Sequence, residues 1–189
     1  MTKKRASPPF YSEEHSSWAI PLTQGVIALV DEDVAQALGQ FYWSARDCNG
    51  IRWYATRSSS AENGWKRILM HKEILPTDGD LDIDHRHHYD KSDLLVDNRR
   101  ANLRVGTRMQ NMQNADIRRD NQSGFKGVTW DASRGKWAAS LMINYKRKAL
   151  GRYSDKIEAA KAYDRAALEH FGEFAKTNAH LGLYQSQAA

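Results

Sequence analysis

Lys126-Gly-Val-Thr-Trp130, Trp137-Ala-Ala-Ser-Leu-Met-Ile143 and Arg147-Lys-Ala-Leu-Gly-Arg-Tyr153 are the stretches that decide the C-terminal fold. Each has strand length and is bounded by turn chemistry: Asp131 to Gly135 after the first, Asn144-Tyr-Lys146 after the second. In the middle stretch Trp137, Leu141 and Ile143 alternate with Ala138, Ser140 and Met142, so one face is the more apolar. Ser154 then reads as the N-cap of a helix with Asp155 and Glu158 in its first turn, where negative charge suits the helix dipole. Ala160, Tyr163, Ala167 and Phe171 recur at helical spacing, and Gly172 suits the C′ position. A three-stranded antiparallel sheet covered by one helix buries the helix stripe and leaves the other sheet face free for function.

Upstream, Asn121-Gln-Ser-Gly124 reads as a linker, and Thr107 as the N-cap of a polar helix to about Ile117. Leu81-Asp-Ile-Asp-His85 alternates like a strand ending in an Asp-His pair. Arg86 to Asp97 reads as a polar loop, and Asn102-Leu-Arg-Val105 as a short strand. Arg67 to Leu75 is a mixed apolar segment containing His71. Nearer the start, Ile20 to Val30 offers two apolar runs around Gly25, and Asp31 to Leu38 a short helix capped by Asp31. Asp47-Cys-Asn-Gly50 is a hairpin turn between Phe41–Arg46 and Ile51–Arg57, its Asn-Gly being the strong signal. Met1 to His15 reads as a loose arm. The expected class is α+β, with a strand-rich N-terminal segment over 1–65, a central module over 66–120, the sheet-and-helix module over 121–180 and a tail over 181–189.

Of the 189 residues, 41% are hydrophobic and 27% charged, enough apolar mass for real cores. No window approaches the roughly 18 consecutive apolar residues of a membrane span. The basic start has no apolar segment behind it, so no secretory signal is read. Cys48, the only cysteine, excludes intramolecular disulfides and multi-cysteine zinc sites. The expected setting is intracellular, in the cytoplasm, with no membrane partner and a monomer or transient dimer.

The net charge of +5 hides an asymmetry. Asn98 to Arg152 carries 13 Lys and Arg against 3 Asp and Glu, whereas Lys72 to Asp97 carries 8 acids against 3 bases. A basic stretch interleaved with Trp130, Trp137, Tyr145 and Tyr153 suits a polyphosphate partner. An acidic stretch rich in Asp and His suits a divalent cation. Phosphodiester hydrolysis needs a base near neutrality, for which histidine is apt, and a hard cation to neutralise the charge gathering on the phosphorus and the leaving oxygen. Asp84 and Asn111 are the oxygen ligands in reach of the pattern, with His85 the base beside them.

Asp84-His85, Asn102-Leu103-Arg104 and Thr107-Arg108-Met109-Gln110-Asn111, in that order, resemble the HNH endonucleases of the ββα-metal superfamily, in particular the homing-type branch of phages and introns. The resemblance implies that His85 is the general base and that Asp84 and Asn111 bind one Mg²⁺ or Mn²⁺. It also implies that Asn102 braces the loop and helps orient His85, and that DNA is cut to 5′-phosphate and 3′-hydroxyl ends. The loop from His85 to Asn102, with His87, His88 and Tyr89, is several residues longer than in that branch. Ser123 to Trp130, Gly135 to Ala139, Leu150 to Tyr153 and Glu158 to Asp164 resemble the APETALA-two/ethylene-response-factor DNA-binding domain, which lays its sheet in the major groove. The resemblance puts Lys126, Thr129, Asp131, Arg134, Ser140, Met142, Arg147 and Ala149 on the DNA face. Several of these positions are arginine or tryptophan in plant members. Of these, Lys126, Thr129, Arg134 and Arg147, with Trp130, Lys136, Arg104 and Arg108, are the expected contacts to double-stranded DNA. Two alternatives remain: a non-catalytic DNA-binding transcriptional regulator with a degenerate HNH segment, and structural zinc on His85, His87 and His88.

Overall fold

In the computed structural model, residues 6–59, 64–115, 117–118 and 120–185 are described; they divide into two compact units between Gly106 and Thr107. The first unit begins with β1 (Phe10–Ser12), β2 (Ser17–Pro21), β3 (Ile27–Val30) and α1 (Glu32–Gly39). There follow β4 (Ser44–Cys48), β5 (Arg52–Ser58), β6 (Arg67–Leu69), α2 (Met70–Ile74), β7 (Leu81–His85), β8 (Leu95–Asp97) and β9 (Leu103–Thr107). Three sheets result, in the orders β1-β2-β3-β8, β4-β5-β6 and β7-β9. The expected hairpin forms: Cys48 pairs with Arg52, and Asn49 and Gly50 both take positive φ between them. Trp43, Trp53, Met70, Ile83, Val96 and Leu103 meet in one core with the apolar sides of β2 and β3. Trp43 also donates its ring N–H to the Leu38 carbonyl at 2.8 Å, tying α1 to that core.

Two departures from the sequence expectation matter here. The described part of the N-terminal arm contributes β1, which pairs antiparallel with β2. The stretch expected to be a loop to Asp97 ends instead in β8, which pairs parallel with β3 in the register Ile27↔Leu95, Ala28↔Val96, Leu29↔Asp97. A parallel strand buried on both faces has no period-2 signature, and all three β8 residues are buried. The strand-rich segment and the stretch after the Asp-His pair therefore share one sheet, and the expected boundary at 65/66 falls inside a single unit. Asp31 does sit at the N-cap of α1, but makes no capping bond there; its carboxylate accepts from the Arg100 backbone N–H at 2.8 Å.

The second unit contains α3 (Arg108–Gln113), β10 (Val128–Asp131), β11 (Lys136–Ile143), β12 (Lys146–Tyr153) and α4 (Lys156–Phe171). Thr107 caps α3 as expected, in a reciprocal box with Gln110, although the helix stops at Gln113. The expected ββα module thus falls on both sides of the division, β7 and β9 before it and α3 after it. β10, β11 and β12 form an antiparallel sheet whose Val128, Ala139 and Leu141 are buried with Ala159, Ala160, Ala162, Tyr163, Ala166 and Ala167 of α4. Alanines on that helix face let helix and sheet approach closely, as the Ala160-Tyr163-Ala167 spacing predicts. The cap is Asp155 rather than Ser154, its carboxylate accepting from the N–H groups of Ile157 and Glu158.

The unit is larger than sheet and helix. Asn121 to Gly124, expected as a linker, is a tight turn in which Ser123 is buried and Asn121 accepts from the Gly124 N–H. Asn178, fully buried, accepts from the Lys126 N–H and donates to the Lys126 carbonyl. Asp164 in turn accepts from the Asn178 and Ala179 backbones, the Asn178 side chain and the Tyr184 hydroxyl. Leu183 and Tyr184, expected to lie in the tail, pack against the core around Phe125.

Candidate functional site

In the first unit, β7 delivers Asp84 and His85 side by side, both buried. His85 Nε2–H donates to Asn98 Oδ1 at 2.9 Å. In the neutral imidazole this leaves Nδ1 as the nitrogen bearing the lone pair. The rings of His71, His88 and Tyr54 stand 5.0, 5.6 and 5.9 Å from His85. Burial pushes the His85 pKa down, and pushes His71 down to about 3, the repulsion the two rings would feel if both were protonated adding to the effect. His85 is therefore held neutral, the form a base requires.

Asn102 is expected to brace the loop and to help orient His85. Its Nδ2 donates to the carbonyls of His87 and Asp97 while its Oδ1 accepts from the His87 N–H, which closes the loop onto β9. The imidazole itself is held by Asn98, a residue to which the sequence assigned no role. Asn98 follows β8, and its own N–H reaches Leu29 at 2.9 Å, so sheet pairing positions the amide. The available signal is an Asp-Asn pair directly after the short apolar run Leu94-Leu-Val96.

Arg104, expected on the DNA surface, is buried: its Nε and Nη2 donate to Asp84 Oδ2 at 3.2 and 2.8 Å. A buried carboxylate demands such a partner. Asn98 Nδ2 is a further donor, buried without a hydrogen-bond partner among the described residues. Asp84 is thus neutralised on its Oδ2 side by a guanidinium, which offers no lone pair to a cation, while the His88 imidazole stands 3.9 Å from its Oδ1. Asn111, the other expected ligand, lies on α3 in the second unit, where its Oδ1 is buried without a partner among the described residues. The zinc alternative is not supported. The His87 ring sits edge-on to Tyr89 at 4.8 Å, and the described residues hold no group of three His, Cys, Asp or Glu that could bind a metal.

In the second unit, period-2 alternation turns Thr129, Asp131, Ala138, Ser140, Met142, Arg147 and Ala149 away from α4, with Thr129↔Ala138, Ser140↔Ala149 and Met142↔Arg147 as cross-strand pairs. Arg147 lies across this face, donating to Ser140 Oγ at 2.9 Å and to Thr129 Oγ1 at 3.5 Å; it makes no ion pair among the described residues. Arg152, absent from the expected contacts, shares the face and donates to Asp131 at 2.7 Å. Hydrogen bonding from Ser133 and Arg152, with the Arg134 charge adding, holds the Asp131 carboxyl well below the usual range. A groove of about 440 Å³ runs between Thr129, Asp131, Ser140, Arg147 and Arg152. Lys136 is exposed beside it, Arg134 is exposed on the preceding turn, and Arg108 is exposed at the start of α3.

Two expected contacts are placed differently. The Lys126 ammonium donates to the carbonyls of Gln113 and Ala115, tying down the chain after α3. Trp130 alternates to the side of Val128, where it stands edge-on to Trp137 at 4.9 Å and remains half exposed.

The second unit thus presents a three-stranded antiparallel sheet braced by one helix, with a polar and cationic outer face. Residues 123–173 match the AP2 domain family. No helix among the described residues is long and apolar enough to cross a membrane.

Proposed function

We propose that this chain is a DNA-binding protein of the regulator type, which docks double-stranded DNA on the outer face of the β10–β12 sheet. The observation that carries this is Arg147, lying over Ser140 and Thr129 with no carboxylate partner among the described residues. A guanidinium so placed is ready to exchange two hydroxyl contacts for phosphate or a guanine edge. The other exposed cations of the face, Lys136 and the Asp131-paired Arg152 and Arg134, supply the sequence-independent share of affinity. Fluorescence anisotropy on a labelled duplex over a salt series tests this. Arg147→Gln with Lys136→Gln is expected to reduce the slope of log K against log salt by about 1.8, two phosphates at about 0.9 each. An unchanged slope would move the binding face elsewhere.

A second reading, DNA endonuclease of the HNH type, is favoured by the neutral, buried His85 on Asn98 and by the orphan acceptor on Asn111. His85 then takes the proton of the attacking water through Nδ1, and a need for Mg²⁺ or Mn²⁺ is read from the assay itself. Supercoiled plasmid incubated with either ion decides it. Nicking that disappears in His85→Ala, with DNA affinity retained, supports the nuclease; equal nicking by parent and variant, or none by the parent, leaves the regulator.

A further inference from the structure

The β4-β5-β6 sheet turns Ala45, Trp53 and Ala55 into the core of the first unit. Alternation and register therefore place Ser44, Arg46, Arg52, Tyr54, Ser58 and Arg67 together on its opposite face, with Arg46 opposite Tyr54 and Arg67 opposite Ser58. Arg46 and Arg67 are exposed and have no carboxylate partner among the described residues. The nearby Arg57 differs, since it pairs with Glu73. One groove of about 530 Å³ ends at Arg67 beside Trp65, which is 80% exposed. A second, of about 370 Å³, runs past Arg46 and Tyr54 to His71 and the Lys72–Asp82 ion pair, with Asp47, itself paired with Lys91, also on its wall. Tyr54 belongs to this face and also touches the rings of His71 and His85, so the face continues into the Asp84–His85 cluster.

We infer that this sheet face is a second DNA-contact surface, taking the phosphodiester backbone of the duplex bound by the chain. Unneutralised arginines gathered on one polar face, in a unit whose other cations largely face carboxylates, complement a polyanion rather than an apolar partner. Trp65 supplies apolar area for a deoxyribose edge. The inference rests on the DNA-binding reading above and adds to it a backbone track leading to His85.

The full chain, carrying Arg46→Gln and Arg67→Gln, is titrated with a labelled duplex over a salt series beside the Arg147→Gln/Lys136→Gln protein. Both side chains are exposed, and unchanged thermal melting of the double variant confirms the fold. A salt slope smaller by about 1.8 in the Arg46/Arg67 variant supports the second surface. A slope unchanged there but reduced in the Arg147/Lys136 variant overturns this inference and leaves the sheet of the second unit as the DNA face. Unchanged slopes in both overturn it together with the DNA-binding reading. Loss of an acidic protein partner with DNA binding intact would assign the face to protein and overturn it too.

Discussion

Gly127→Ala is expected to destroy the packing of the second unit. Gly127 has φ +75°, in the left-handed region, where a side chain costs about 1–2 kcal/mol. Worse, a Cβ built there would stand 1.9 Å from Cδ2 and 2.4 Å from Cε2 of Tyr163. That ring cannot swing away: it is buried with Leu141, Ala166 and Ala167 under the sheet. Overpacking of this kind adds roughly 1–3 kcal/mol, and close backbone contact puts this case at the upper end. Set against a typical domain stability of about 5–15 kcal/mol, the sum removes much of the margin. Urea unfolding followed through Trp130 and Trp137 should show a midpoint shifted strongly downward, with DNA affinity falling in parallel. An unchanged midpoint would mean that Tyr163 does not sit on Gly127.

That glycine also marks where the sequence could and could not be read. β10 to β12 and α4 were legible because alternation, turn residues and an alanine stripe agree over nearly fifty residues. The Asp47–Gly50 hairpin was legible for the same local reason. β8 was hidden because three buried residues carry no period and their partner β3 is far away in sequence. Its concealment also hid Asn98, the residue that holds His85. The fate of a cation was the least legible feature. Arg104 and Lys126 look like surface charge, yet one neutralises the buried Asp84 and the other caps two carbonyls. Composition reports the sign of a charge, while only the folded chain determines whether water, a carboxylate or a peptide oxygen lies nearest. The Asp84-His85 pair was visible as a motif; its setting among donors was not.

Acid should weaken the first unit through its buried histidines. His71 falls from an ordinary value of 6.5 to about 3 in the fold, chiefly through burial, and His85 is displaced in the same direction. Between those two values the unfolded chain binds the proton and the folded chain does not, so stability rises with pH. The contribution is fully present above about 6.5 and is lost as pH falls through the window towards 3, at about 1.4 kcal/mol per pH unit for each such histidine. Carboxylates lose their own interactions in acid, so the parent protein alone does not isolate the effect. His71→Gln does, because the amide is polar and never takes the proton. Urea unfolding followed through the buried Trp43 and Trp53 should give a shallower decline for this variant across the window, less steep by close to one proton. Its midpoint near neutrality should lie below that of the parent, since Gln does not fill the ring's place between Tyr54 and His85. Identical pH slopes for parent and variant would show that His71 is not buried neutral, and that the cluster around His85 is wetter than its geometry requires.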